Sequence, residues 1–170
     1  MVFKCEVKNI SDSVCEIVLV GHFDEDSHIP EDIPFDSITD LSINLGRMES
    51  INSRGIKTWI LFIDELNKYP ALNVKLENCP RIFVDQINLV DGMLSEKVKV
   101  NSLLIPIFCN KCEESFDVFQ EVESLNAEKI EDIDSLIDKV KATPCDSFPG
   151  CKREFEIDVV ADLYFKFLKK

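Results

Sequence analysis

Four of the seven cysteines fall into two close pairs. Cys109 and Cys112 are separated by two residues, Cys145 and Cys151 by five, and 32 residues lie between the pairs. Zinc takes four soft or borderline ligands in a tetrahedron, and two cysteine knuckles clamped face to face supply that set. The two-residue spacing of the first knuckle lets backbone amides point at the sulfurs. The second knuckle is three residues longer than usual and carries Pro149-Gly150 in its turn. The expectation is a structural Zn2+ held by Cys109, Cys112, Cys145 and Cys151. A reversible disulfide pair, or thiols unrelated to one another, are the alternatives. With four thiolates and no nearby histidine, no coordination position is left open for catalysis. Cys5, Cys15 and Cys79 each sit singly among apolar neighbours and read as small buried hydrophobes. His22 and His28 lie far away beside an acidic loop and read as solvated surface residues.

A second segment carries a different chemistry. After the apolar run Leu41–Leu45, the chain reads Gly-Arg-Met-Glu-Ser-Ile and then Asn52-Ser53-Arg54-Gly55. Apolar residues follow at helical spacing: Ile56, Trp59, Ile60, Ile63 and Leu66. A strand is expected to end, a polar turn to follow, and a helix to open at Asn52 or Ser53, either of which can cap it. Helix amino termini present unsatisfied N–H groups and the positive end of the dipole, so phosphate is well tolerated there. Ser53 therefore has two readings, a helix cap and a phosphorylation switch. Arg54 pairs with such a phosphate in the second reading and is an ordinary solvated residue in the first.

This turn, taken with the element order around it, resembles the STAS family of anti-sigma-factor antagonists and sulfate-transporter domains. The family signature is an apolar strand, then an Asp-Ser-Ser-Gly-type turn opening a helix. Asn52 stands where Asp is usual, and Arg54 where a second Ser or Thr is usual. The segment Asn73–Val90, with Cys79-Pro80, is similar to the family's second helix region, and the resemblance covers about residues 1–94. It implies a non-catalytic interaction module in bacterial signalling, with Ser53 at the position phosphorylated in switching members. The implied partner is an anti-sigma factor or kinase-like protein, contacting Asn52, Ser53, Arg54, Gly55 and Lys57. Small-ligand sensing, of a nucleotide or a lipid, is the alternative. An enzyme with a cysteine nucleophile and His22 or His28 as base is a further one.

The elements that must position these groups follow from periodicity. Strands are expected at 2–8, 14–20 and 41–45, with a loop over 24–36, then the helix ending near Tyr69-Pro70. A fourth strand at 74–76 and a second helix opened by Pro80 complete β-β-β-α-β-α. A strand-helix-strand step demands a crossover and hence parallel strands. Beyond it, 98–108 and 116–122 are strand-like, 127–142 has amphipathic helical spacing, and 155–168 closes the chain as a strand and a helix. The fold class expected is α/β: a STAS-like mixed sheet with helices over 1–96, then a zinc ribbon with short helices over 97–170, holding a helical insertion at about 126–142.

The 170 residues carry a net charge of -13, with hydrophobic residues at 45 %, enough for a packed globule. Residues 1–50 hold 3 basic and 11 acidic side chains, 51–100 hold 7 and 6, and 101–170 hold 9 and 15. No basic stripe offsets this acidity, which excludes nonspecific nucleic-acid binding. The near-neutral middle third is the part best able to meet a protein partner. There is no apolar stretch of the roughly 18 residues a membrane span needs. Met1–Cys15 shows no basic segment followed by an apolar run, so the expected location is cytoplasmic.

Overall fold

The computed structural model describes residues 1–30, 33–125 and 155–169. By contact the chain divides into two compact units, Met1–Ser102 and Leu103–Lys170. The expected helix at 127–142 lies outside the described residues, as do Cys145 and Cys151.

The first unit is a mixed α/β layer. Strands β1 (Lys4–Ser11), β2 (Val14–Phe23), β3 (Asp40–Ile51), β4 (Asn73–Glu77) and β5 (Val98–Val100) lie in the order β1-β2-β3-β4-β5. β1 runs antiparallel to β2, and the remaining three pairings are parallel. Helices α1 (Ser53–Leu66) and α2 (Arg81–Leu89) make the crossovers from β3 to β4 and from β4 to β5. Both crossovers move one strand in the same direction, and the right-handed rule then puts both helices on one face.

The register identifies that face. Ile17, Ile43 and Leu76 form one row across β2, β3 and β4, and Cys15, Leu41 and Val74 form the next, all essentially buried. The alternate row of Glu16, Ser42 and Lys75 is polar and looks the other way. Helix α1 buries Trp59, Ile63 and Leu66, and α2 buries Phe83, Val84 and Ile87. Trp59 is the hub of this core. Its ring meets Phe83 edge to face at 4.9 Å and Phe62 at 5.9 Å. Its indole N–H, which cannot be buried without a partner at low cost, donates to the Met93 carbonyl at 2.9 Å.

One local expectation fails. β3 does not end at Leu45 in a polar turn; it continues to Ile51. The cause lies in β2, whose end from Val20 to Phe23 keeps pairing with Arg47, Met48, Ser50 and Ile51. Register shifts between Val18 and Val20 and between Gly21 and His22 absorb the extra residues of β3, and the mostly exposed side chains of this stretch hid the strand from a reading of hydropathy.

In the second unit, β6 (Ser102–Cys109) is flanked by β7 (Glu114–Glu121) and β8 (Phe155–Ile157) in the order β7-β6-β8. A short α3 (Ala161–Tyr164) and a 3-10 turn (Lys166–Lys169) follow. Leu103, Ile105, Ile107, Tyr164 and Phe165 are buried, and the Tyr164 hydroxyl donates to the Leu104 carbonyl at 3.1 Å. Pro106 is tolerated within β6, and its carbonyl accepts from the Asp158 N–H.

Replacing Trp59 by Phe keeps a ring in the core but orphans the Met93 carbonyl. Urea unfolding followed by far-UV circular dichroism should show a loss of about 1–3 kcal/mol.

Candidate functional site

The turn at the start of α1 is built by three contacts. First, Asn52 is the N-cap: its Oδ1 accepts from the N–H groups of Arg54 at 3.0 Å and Gly55 at 2.8 Å. The cap is therefore Asn52, not Ser53. Ser53 is the first helical residue and is exposed, and its hydroxyl has no hydrogen-bond partner among the described residues. Second, Gly55 packs directly on the end of β2. A Cβ built there would lie 2.2 Å from the Phe23 carbonyl oxygen, closer than any side chain can come. The same carbonyl accepts from the Asn52 N–H at 3.2 Å. Gly55 is thus buried and fixes the turn, while Lys57 is exposed one residue beyond Ile56.

Third, Glu25 reaches over the turn from the loop after β2. Its carboxylate accepts from the Arg54 guanidinium at 2.8 Å and from Asn52 Nδ2 at 3.1 Å. The loop is locked beneath it. The Asp24 side chain accepts from the Asp26 N–H at 3.1 Å and from the Ser27 hydroxyl at 3.0 Å, and that hydroxyl accepts from the Asp24 N–H at 2.8 Å. A hydrogen bond from its own backbone N–H, then the Asn52 amide and Arg54, hold the Glu25 carboxyl below the ordinary glutamate range. The group is exposed, so this is a local preference rather than a large share of the fold's stability. Sequence reading missed Glu25, which stood as one of several acidic residues in a loop. Its 29-residue separation from Arg54 leaves no spacing to recognise.

A second polar cluster lies at the same end of β2, around His22. The Met1 ammonium donates to His22 Nε2 and to Glu49 Oε2, both at 2.7 Å, and His22 Nδ1 meets the Ser50 hydroxyl at 2.7 Å. The Glu49 carboxyl is held low by the ammonium hydrogen bond, then by that charge and His22. A hydroxyl, an imidazole and a carboxylate in sequence invite comparison with a nucleophile relay. The Nε2 atom faces both the Met1 ammonium at 2.7 Å and Glu49 Oε2 at 3.3 Å, while Nδ1 faces the hydroxyl. His22 thus has a serine, not a cysteine, beside it, and His28 is exposed. An open cleft of about 550 Å³ borders this cluster, lined by Met1, Val2, Phe3, His22, Asp24 and Asp26. Its two aspartates disfavour a phosphate-bearing ligand.

The cysteines separate by environment. Burial, then the neighbouring Cys15, pushes the Cys5 thiol up to about 11; burial likewise raises Cys15, and burial with Glu77 raises Cys79. These three are neutral, apolar side chains at neutral pH. Cys109, by contrast, ends β6 and Cys112 lies in the turn to β7. The turn is tight: the Glu113 N–H donates to the Cys109 carbonyl at 2.8 Å, and Glu113 takes a left-handed φ of 55°. On its other side Cys109 pairs with Phe155, the first residue of β8. Cys151 precedes Phe155 by four residues, a reach of about 14 Å at most. No group of three or more metal-ligating side chains is found among the described residues, which exclude Cys145 and Cys151.

Among known proteins, no family model matches the chain, and no curated protein matches it either. Among the described residues no helix is long and apolar enough to cross a membrane.

Asn52→Ala removes both the cap and one donor to Glu25. Chemical denaturation should show a loss of about 0.5–2 kcal/mol. The lowered Glu25 pKa means its pairing contributes above the ordinary glutamate range and is lost as pH falls through that lowered value. In the variant, the Glu25 carboxyl followed by NMR should titrate at higher pH than in the parent protein.

Proposed function

We propose that the protein is a non-catalytic interaction module in bacterial signalling, of the STAS-like, anti-sigma-factor-antagonist kind, with a cytoplasmic site of action. The observation that carries this reading is the α1 turn. It presents the exposed Ser53 hydroxyl beside an Arg54–Glu25 ion pair, on a helix start fixed by Gly55. The docking surface is Asn52, Ser53, Arg54 and Lys57, with Gly55 shaping it from beneath, and the partner is an anti-sigma factor or kinase-like protein. A phosphate on Ser53 would sit at the positive end of α1, attract the Arg54 guanidinium and repel the Glu25 carboxylate. The switch is then an exchange of one anion for another on Arg54, which loosens the loop carrying Glu25.

The carboxy-terminal unit, in this reading, is a zinc ribbon. Its support is the Cys109–Cys112 turn between β6 and β7, and the pairing of Cys109 with Phe155, which limits how far Cys151 lies from the knuckle. Four thiolates give a closed structural site, whose binding energy would stabilise a small unit with a thin core.

Two results test the reading. Ser53→Asp and Ser53→Ala should differ at least severalfold in partner retention in a pulldown from the native cytosol, and identical retention would remove the switch. Cys112→Ser should abolish zinc uptake, read as metal per chain by elemental analysis. It should also collapse amide dispersion for Leu103–Glu121 while leaving β1–β5 intact; unchanged dispersion with full zinc would contradict the ribbon.

A further inference from the structure

The outer edge of β1 carries a charge pattern that is complementary to itself. β1 ends the sheet, so alternate residues along its eight-residue length turn N–H and C=O groups away from β2. Most of the strand is exposed, including Val7 at 40 % and Ile10 at 63 %. Edge strands are commonly protected by charge, and Lys4, Glu6 and Lys8 supply it here. The sign alternates, however, and the charged residues share one face of the sheet. Glu6 and Lys8 sit on that face opposite Val18 and Glu16 of β2.

We propose that β1 pairs antiparallel with β1 of a second copy of this chain, about a two-fold axis at Val7, joining two five-stranded sheets into one. The inference goes beyond the docking role proposed for α1 and stands independently of it. A two-fold normal to the sheet keeps every residue on its own face, so the allowed registers are those centred on a residue. Centring on Glu6 opposes Glu6 with itself and Lys4 with Lys8. Centring on Lys8 opposes Lys8 with itself. Centring on Val7 places Glu6 against Lys8 of the second copy, and Lys8 against its Glu6, while Cys5 through Asn9, the regular part of the strand before its irregularity at Ile10, all find partners. Opposite charges directly across a pair of strands stabilise it and like charges destabilise it. Centring on Cys5 also opposes Lys4 with Glu6, but it sets Lys8 against Val2, outside the strand, so the Val7 register is the one that joins opposite charges over the longer paired length.

The existing ion pairs extend the match. Arg47 already contacts the Glu6 carboxylate at 3.3 Å, and Lys8 contacts Glu16 at 3.3 Å. In the Val7 register each half of the joined sheet carries a chain of side-chain ion pairs, in which Arg47 reaches diagonally to Glu6, Glu6 faces Lys8 of the second copy, and that Lys8 holds its own Glu16. The same charges that turn away an arbitrary strand therefore accept a second copy. The pairing is isologous, as closed dimers require, and adds strand hydrogen bonds along a short edge. That makes a weak, concentration-dependent dimer rather than an obligate one.

Charge reversal tests it with the full chain. Glu6→Lys leaves only positive charge at positions 6 and 8, and Lys8→Glu leaves only negative. In sedimentation equilibrium at 0.15 M salt the parent chain should show a monomer–dimer equilibrium, and each variant alone should associate about tenfold more weakly. An equimolar mixture of the two variants should regain association as a heterodimer, because each then faces the opposite sign. A parent chain that stays monomeric at all accessible concentrations, variants that associate like the parent, or a mixture no more associated than its components would each overturn the proposal.

Discussion

The contact between Gly55 and the Phe23 carbonyl is the constraint on which the first unit turns. β2 ends by driving a backbone oxygen into the first turn of α1, and only a residue without Cβ leaves room for it. That approach sets how far β2 runs and therefore how far β3 must run to pair with it. It also places the Phe23 ring beside Trp59, at 6.4 Å edge to face, and through Trp59 reaches the aromatic core under α2. The Asn52 N–H bonded to the same carbonyl fixes the cap in position. The turn's chemistry is thus a by-product of packing: the core holds the backbone rigid, and the polar side chains above it are presented in one geometry.

Glu25 gives that geometry its electrostatic character. An exposed ion pair contributes little to folding, but it decides what Arg54 is available to do. While Glu25 holds the guanidinium, the helix start is locally neutralised and the loop from Asp24 to Ser27 is anchored. Any anion that binds Arg54 more strongly must displace Glu25 first. The proposed switch would use this exchange without any change in the buried framework beneath it.

The sequence exposed the framework better than the site. Apolar recurrence from Ile56 to Leu66 and Pro80 at the head of α2 placed both helices, and the run from Val14 to Val20 placed the central strand. β3 beyond Leu45 stayed hidden because its partners, not its own hydropathy, keep it extended. The choice between Asn52 and Ser53 as cap was not legible either, since both residue types cap well and only the chain's entry angle distinguishes them. Glu25, Glu49 and Ser50 joined sites through long-range pairing that no local spacing encodes. The strand leading into Cys109 and the strand after Cys112 were legible from apolar runs, and the structure places the two cysteines at the turn between them.

The account's central claim is that the α1 turn engages a protein partner and exchanges Glu25 for a phosphate on Arg54. Native mass spectrometry on the protein isolated from its own cells tests this most directly. It reads metal, phosphate and any bound chain in one spectrum. The account predicts one zinc per chain, a phosphorylated fraction, and a partner chain bound to one of the two phosphorylation states only. A partner bound equally to both states, or a chain that carries no phosphate under any growth condition, would contradict it.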